Sequence, residues 1–208
     1  MSSHRYLKTI GIILLFFTTL AGADEGRCDL SRYVSKYQHT AIPAGSLSAL
    51  SQYEHLIAYF TSFSYFLPRH KVSPDFVRAL ILAESRGNPQ AISAKDARGL
   101  GQILLPTGRK AARELAQSRT VFHYVKRERL ANLTTEDLHD PAVNILLTCY
   151  LVAKYNYRFD GRLDLVISAW NAGEYTDSLA AGRYADFEET KNLIGKVNGY
   201  YMFFLRNR

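Results

Sequence analysis

Between Ser73 and Arg86 the apolar residues Val77, Leu80 and Ile81 recur at steps of three and four, the repeat of a single helical face, and Glu84 takes the next place on that face. The start of this helix is marked by Ser73 as N-cap, Pro74 at the first helical position and Asp75 in the first turn. Gly87 and Asn88-Pro89 end it, because a proline drives the residue before it out of helical geometry. A long loop follows. The same periodicity predicts one helical stripe over 46–67, through Leu50, Tyr53, Leu56, Ile57, Phe60, Phe63 and Leu67, and further helices over 107–117, 121–131, 141–159, 163–170 and 187–205. No segment alternates as a half-buried strand with hairpin chemistry at its ends. The expected fold class is all-α. The aromatics of the 46–67 stripe could form a platform for sugars, but aromatics at helical spacing are more often core.

The first 23 residues follow a different rule. Arg5 and Lys8 precede an unbroken apolar run from Ile10 to Phe17, and Leu20-Ala21-Gly22-Ala23 supplies the small residues of a cleavage site, the order of a secretory signal. The run is about half the ~20 residues that a membrane-spanning helix needs. No cysteine stands directly after Gly22, so a lipid anchor is not expected. The predicted organisation is a cleavable signal at 1–23, a helical extension at 24–70 and one catalytic-size domain at 71–208, giving a soluble periplasmic protein.

Charge narrows the partner. The formal charge of +7 falls to +5 once Arg5 and Lys8 leave with the signal. The remaining Lys and Arg residues are scattered rather than gathered in a basic stripe, which argues against nucleic acid and fits an anionic wall polymer or simply a soluble basic surface. The two cysteines, Cys28 and Cys149, are expected to pair in an oxidising compartment; the alternative is that Cys149 is a small buried apolar residue.

Glu84 is the anomaly in the pattern, a carboxylate closing an apolar stripe. Loss of water disfavours the charged form, so such a site raises the carboxyl pKa and keeps it protonated near neutrality, as a general acid requires. Spacing alone leaves another reading open, a Glu that curls out to solvent or pairs with Arg78 or Arg86.

The surroundings add to this. Glu84-Ser85, then Asn88-Pro89-Gln90-Ala91-Ile92-Ser93, then Gly99-Leu100-Gly101-Gln102-Ile103 with Thr107 beyond, resembles the signature of the soluble lytic transglycosylases. Later blocks resemble the same family in the same order: Asn144-Ile145 with Tyr150-Leu151, Ala169-Trp170-Asn171-Ala172-Gly173, and Glu189-Thr190 ahead of Lys196-Val197. The resemblance runs from about Val72 to Val197. It implies a lysozyme-like α-helical domain that cleaves peptidoglycan glycan strands between N-acetylmuramic acid and N-acetylglucosamine. It implies Glu84 as sole acid and base, a 1,6-anhydro product, and no cofactor or metal. By the same resemblance Ser93 and Gln102 orient Glu84 or bind sugar, Trp170 and Asn171 line the substrate site, and Glu189 contacts the N-acetyl or peptide side. For each the competing role is a cap or a turn; Asn171-Ala172-Gly173 could simply end a helix.

Three positions depart from the family pattern: Gly101 stands where Met is usual, Thr148 where Gly is usual, and Trp170 where Tyr is usual. Pro106 is also displaced by one place. An indole can only donate its N–H or stack on a sugar, whereas a phenol can also accept. Asp96 is the nearest second carboxylate in the loop; facing Glu84 it would favour a hydrolytic muramidase, and otherwise it is a solvated loop residue.

Other wall-cutting chemistries fit poorly. All six histidines precede Cys149, which is the wrong order for a Cys-His peptidase, and no H-E-x-x-H or G-x-S-x-G motif is present. The remaining readings are a lytic transglycosylase, a muramidase on the same fold, and a peptidoglycan-binding protein of weak activity. An envelope-spanning secretion or pilus complex is the expected protein partner.

Overall fold

The protein, described here by a computed structural model, is placed over residues 24–68 and 71–208, with side chains described from Leu30 onward. The export signal expected at residues 1–23 lies outside the described residues. The elements are α1 (Asp24–Tyr37), α2 (Ala44–Ser51), α3 (Glu54–Thr61), α4 (Pro74–Ser85), α5 (Leu105–Gln117), α6 (Arg127–Ala131), α7 (Pro141–Arg158), α8 (Leu163–Ala172), α9 (Asp177–Ala180) and α10 (Glu188–Arg206). A short 3-10 turn at Glu136–His139 leads into α7. The fold is all-α, and among the described residues only isolated bridges, Ile92 with Arg98 and Arg98 with Ile103, stand in for strand pairing.

α7 is the axis of the core. Asp140 caps it by accepting from the amides of Ala142 (2.8 Å) and Val143 (3.2 Å), and Pro141 costs nothing at the first helical position, where no intrahelical N–H bond is lost. Val143, Ile145, Leu146, Leu147 and Cys149 are all fully buried, so this helix is covered on every side rather than on one stripe. α3, α5 and α8 pack against it. Leu50, Ile57 and Phe60, from the segment before residue 71, belong to the same core cluster as α7.

α4 begins as the sequence predicts, with the Ser73 side chain accepting from the Phe76 amide at 3.4 Å. It ends with Arg86 in the left-handed region (φ 56°) and Gly87 at φ 82°, which turns the chain sharply into the loop. α10 packs along both α4 and α8, and α1 packs along α10. The last contact is close because Gly195 and Gly199 have no side chain to hold off the Tyr33 and Tyr37 backbone. Tyr33 also bonds Glu188, at the start of α10.

Three expectations are corrected. The stripe over 46–67 is two helices, broken where Tyr53 adopts φ −107°, ψ 6°, and helical structure stops at Thr61. The Ser51 hydroxyl donates to the Ser48 carbonyl at 2.7 Å, the local competition that makes serine a poor helix interior. Residues 121–126 are not helical. Phe122 packs its ring against Phe60 and Phe63, and the His123 amide donates to the Tyr59 hydroxyl at 2.8 Å, so the aromatic cluster takes the chain out of helical register. Finally, Cys149 is a free thiol, enclosed at the centre of α7. Burial pushes its ionisation well upward. The side chain of Cys28 lies outside the described residues, and its helix, α1, runs along α10 rather than α7.

Candidate active site

Glu84 sits one residue before the end of α4, where α4, α8 and α10 meet. Its apolar neighbours Leu80 and Ile81, a turn earlier, are buried in the core, and the carboxyl is itself partly buried. The Trp170 indole of α8 donates from Nε1 to Glu84 Oε1 at 2.9 Å. From α10, Lys196 extends Nζ to the carbonyl of Ala83 at 2.6 Å, and its positive charge acts on the carboxyl beside it. Burial raises the Glu84 pKa from an ordinary value near 4.5 to about 7; the Trp170 bond and Lys196 oppose the rise, and the negative charge of Glu189 adds to it. Burial in turn lowers the pKa of Lys196. Glu84 is therefore half protonated near neutrality, able both to give and to take a proton.

The loop from Arg86 to Leu104 is a compact, self-bonded structure. Ser93 Oγ accepts from the amides of Lys95 (3.2 Å) and Ala97 (3.1 Å). Gln102, at φ 51°, donates its side-chain amide to the carbonyls of Ala91 (3.1 Å) and Gly99 (3.0 Å). The fully buried Asn144 of α7 holds the loop from below: its Oδ1 accepts from the Gly101 amide at 2.8 Å, and its Nδ2 donates to Arg98 O (3.0 Å) and Leu138 O (2.7 Å). Gly99 is required here, since at φ 75° a Cβ would collide with the Leu138 carbonyl and the Asn144 amide. His139 adds a second anchor. The Pro89 carbonyl can only accept, so Nδ1 carries the hydrogen at that 3.0 Å contact and Nε2 accepts from Arg98 at 3.3 Å.

The residues singled out in the sequence thus divide. Trp170 contacts Glu84 directly. Ser93 and Gln102 bond the loop to itself. Asn171 accepts from the Thr190 hydroxyl at 2.6 Å and bonds the carboxylate of Glu189, which joins the end of α8 to the start of α10. Glu189 is exposed and pairs with Lys95 Nζ at 2.7 Å, linking α10 to the loop. Its pKa is lowered, first of all by that lysine. Asp96, at φ 62°, is exposed and paired to Arg98 at 2.7 Å, and it is Glu189 rather than Asp96 whose charge is felt at Glu84.

Lys196 and His139 are contacts whose roles sequence reasoning missed; only their placement in the fold shows what they touch. The three departures from the family pattern are also one feature. A Cβ at Gly101 would overlap the Thr148 hydroxyl and lie 3.4 Å from the Trp170 ring, so the smaller residue and the two larger ones share a single space beside Glu84. Among the described residues no cluster of three or more His, Cys, Asp or Glu side chains is placed to hold a metal ion. No described helix is long and apolar enough to cross a membrane.

An all-helical fold with one partly buried glutamate of raised pKa beside a loop pinned to a central helix defines a lysozyme-like domain. The chain matches the Transglycosylase SLT domain family over residues 64–194, and it belongs to that family. A Haemophilus influenzae protein assigned as a soluble lytic murein transglycosylase is 28% identical over 159 residues, covering 71% of this chain and 25% of that protein. The chain therefore spans about a quarter of that relative's length. Among solved structures, the 70 kDa soluble lytic transglycosylase of Escherichia coli superposes with a TM-score of 0.55 at 20% identity, over 86% of this chain and 29% of that one. An inactive variant of lytic transglycosylase Slt from Pseudomonas aeruginosa gives 0.54 at 19% identity, over 85% of this chain and 27% of that one.

Proposed function

We propose that this protein is a peptidoglycan lytic transglycosylase in which Glu84 is the single acid and base. The observation that carries this reading is a partly buried carboxyl whose pKa lies at about 7, bonded by an indole and flanked by an ammonium group. In the first half of the reaction Glu84 gives its proton to the oxygen joining N-acetylmuramic acid to N-acetylglucosamine, and the bond from that oxygen to the anomeric carbon breaks. In the second half the ionised Glu84 takes the proton of the muramoyl C6 hydroxyl. That oxygen bonds to the anomeric carbon, closing a 1,6-anhydro ring, with no water consumed and the proton back on Glu84.

A carboxyl that is half protonated at neutral pH suits both halves. The membership of the chain in the transglycosylase family supports the reaction type. Ser93 and Gln102 serve by holding the loop, and Asn171 with Glu189 by shaping the side where the N-acetyl or peptide groups lie. The signal-like order of residues 1–23 supports export, and the periplasm is the proposed site of the reaction. An envelope-spanning secretion or pilus machine is the proposed partner, tested by co-purification from cells; recovery of peptidoglycan alone removes that partner.

The decisive experiment is digestion of purified peptidoglycan with product masses read by chromatography and mass spectrometry, wild type against Glu84→Gln. Anhydro ends that vanish in the variant are expected. Reducing ends would instead assign a muramidase, with Glu189 the carboxylate to test as activator of water. Retained wall binding without any product would assign a binding protein.

A further inference from the structure

The bond between Trp170 and Glu84 has a direction. An indole has one N–H and no acceptor, so it can neither take a proton from the carboxyl nor accept a hydrogen bond from it. When Glu84 is protonated, its carbonyl oxygen is the stronger acceptor, so the N–H favours the oxygen that lacks the hydrogen. The N–H meets Oε1 at 2.9 Å, an arrangement that favours the proton on Oε2. A hydroxyl-bearing side chain could reverse its own sense and leave both arrangements open.

The indole is seated by two residues that do not touch the carboxyl. Gly101 cannot move back from the ring, because its amide is bonded to the buried Asn144 at 2.8 Å. A Cβ on it would overlap Thr148 Oγ1, lie 3.2 Å from Asn144 Oδ1 and lie 3.4 Å from Trp170 Cζ2. Thr148 is fully buried and its hydroxyl makes no hydrogen bond, so what it contributes at this point is bulk in the space that Gly101 leaves.

We propose that Gly101 and Thr148 are positioning residues that seat the Trp170 indole against Oε1 of Glu84, biasing the transferable proton toward Oε2. This rests on Glu84 being the acid of the proposed reaction. The consequence is an acid presented mainly in one orientation, with the arrangement that points its proton at the indole disfavoured.

Trp170 is the chain's single tryptophan, so intrinsic fluorescence reports on this side chain alone. Protonated and ionised carboxyls quench an indole differently, and the wild-type emission is expected to titrate with a midpoint near the Glu84 pKa of about 7 and to stop titrating in Glu84→Gln. Gly101→Ala drives its methyl into the Thr148 hydroxyl beneath the indole, and the shift that relieves this collision should disturb the indole's seat: the emission titration weakens, kcat falls about 10- to 100-fold with KM little changed, and the alkaline limb of the kcat profile moves to higher pH. Thr148→Ala added to Gly101→Ala removes the hydroxyl with which the new methyl collides, and should restore kcat and the titration to within about 3-fold of wild type.

The proposal is overturned if emission does not titrate in wild type, if Gly101→Ala leaves both titration and limb in place, or if the double variant folds without recovering. Should Gly101→Ala fail to fold by itself, recovery in the double variant still supports the proposal, since relief of one collision is what it expects. A wild type that titrates in emission but yields no anhydro product would overturn the reaction and leave the seat of the indole standing. Anhydro products with a flat emission titration would do the reverse.

Discussion

The loop over 86–104 and the face formed by α8 and α10 border the same carboxyl, yet they use their polar groups in opposite ways. The loop spends Ser93, Gln102 and Asp96 on its own amides, carbonyls and Arg98, while α7 and His139 tie it down from outside. The helical face spends Trp170 and Lys196 on Glu84 and on the carbonyl before it. The loop holds the most recognisable run of residues and makes no hydrogen bond to the acid; the helices hold fewer such residues and set its chemistry. Motif density therefore marks where the backbone is most constrained, and the groups that tune the proton must be sought by contact.

Four changes separate these roles, in descending size of effect. Glu84→Gln is expected to lower release of anhydro products by about 10³-fold or more in a turnover assay. It should also stabilise the protein at alkaline pH. The folded carboxyl keeps its proton up to about 7, while an unfolded one releases it near 4.5, so the folded state binds more protons across that window and loses stability as pH rises through it. Thermal melts should show Glu84→Gln gaining ~3 kcal/mol over wild type at pH 8, a difference that all but vanishes by about pH 4.5.

Asn144→Ala strips three hydrogen bonds from beneath the loop and should cost about 3 kcal/mol in urea unfolding, because it leaves buried backbone groups unpaired. Activity should fall with it. Equal stability would show that the loop holds itself. Lys196→Met removes a positive charge that lowers the Glu84 pKa, so the alkaline limb of the kcat profile should move up by about half a pH unit, and Lys196→Arg should restore most of it. Ser93→Ala breaks a local turn and should cost ~1 kcal/mol without moving that limb. A limb that shifts in Ser93→Ala and stays fixed in Lys196→Met would invert the division between loop and helices.

Much of the fold was legible in order along the chain, because caps and periodicity act within one helical turn. Ser73-Pro74-Asp75 and Asp140-Pro141 start helices where expected, and Gly87 with Pro89 ends one. Glu84 was marked as soon as a carboxylate appeared on an apolar face. The unwound segment before α6 was not legible, since nothing local forbids a helix there and the aromatic packing of Phe122 on Phe60 and Phe63 decides the matter, while the break at Tyr53 had only the weak local mark of the Ser51 hydroxyl that bonds Ser48 O. The expected partner of Cys149 failed for the same kind of reason: spacing and compartment allow a bridge, but the core closes over the thiol.

By itself the sequence determined an all-helical fold, the start and end of α4, the loop after it and the carboxylate that stands out on its apolar face. Tertiary structure decided the rest: that Trp170 lies 86 residues from the acid it contacts, that Lys196 reaches 113 residues back to the carbonyl of Ala83, and that Gly101, Thr148 and Trp170 share one space. A helix end is chosen by a few neighbouring dihedrals and hydrogen bonds. A pKa and the seat of an indole depend on which surfaces are brought together and how much water they exclude, and that is settled only when α4, α8 and α10 have packed.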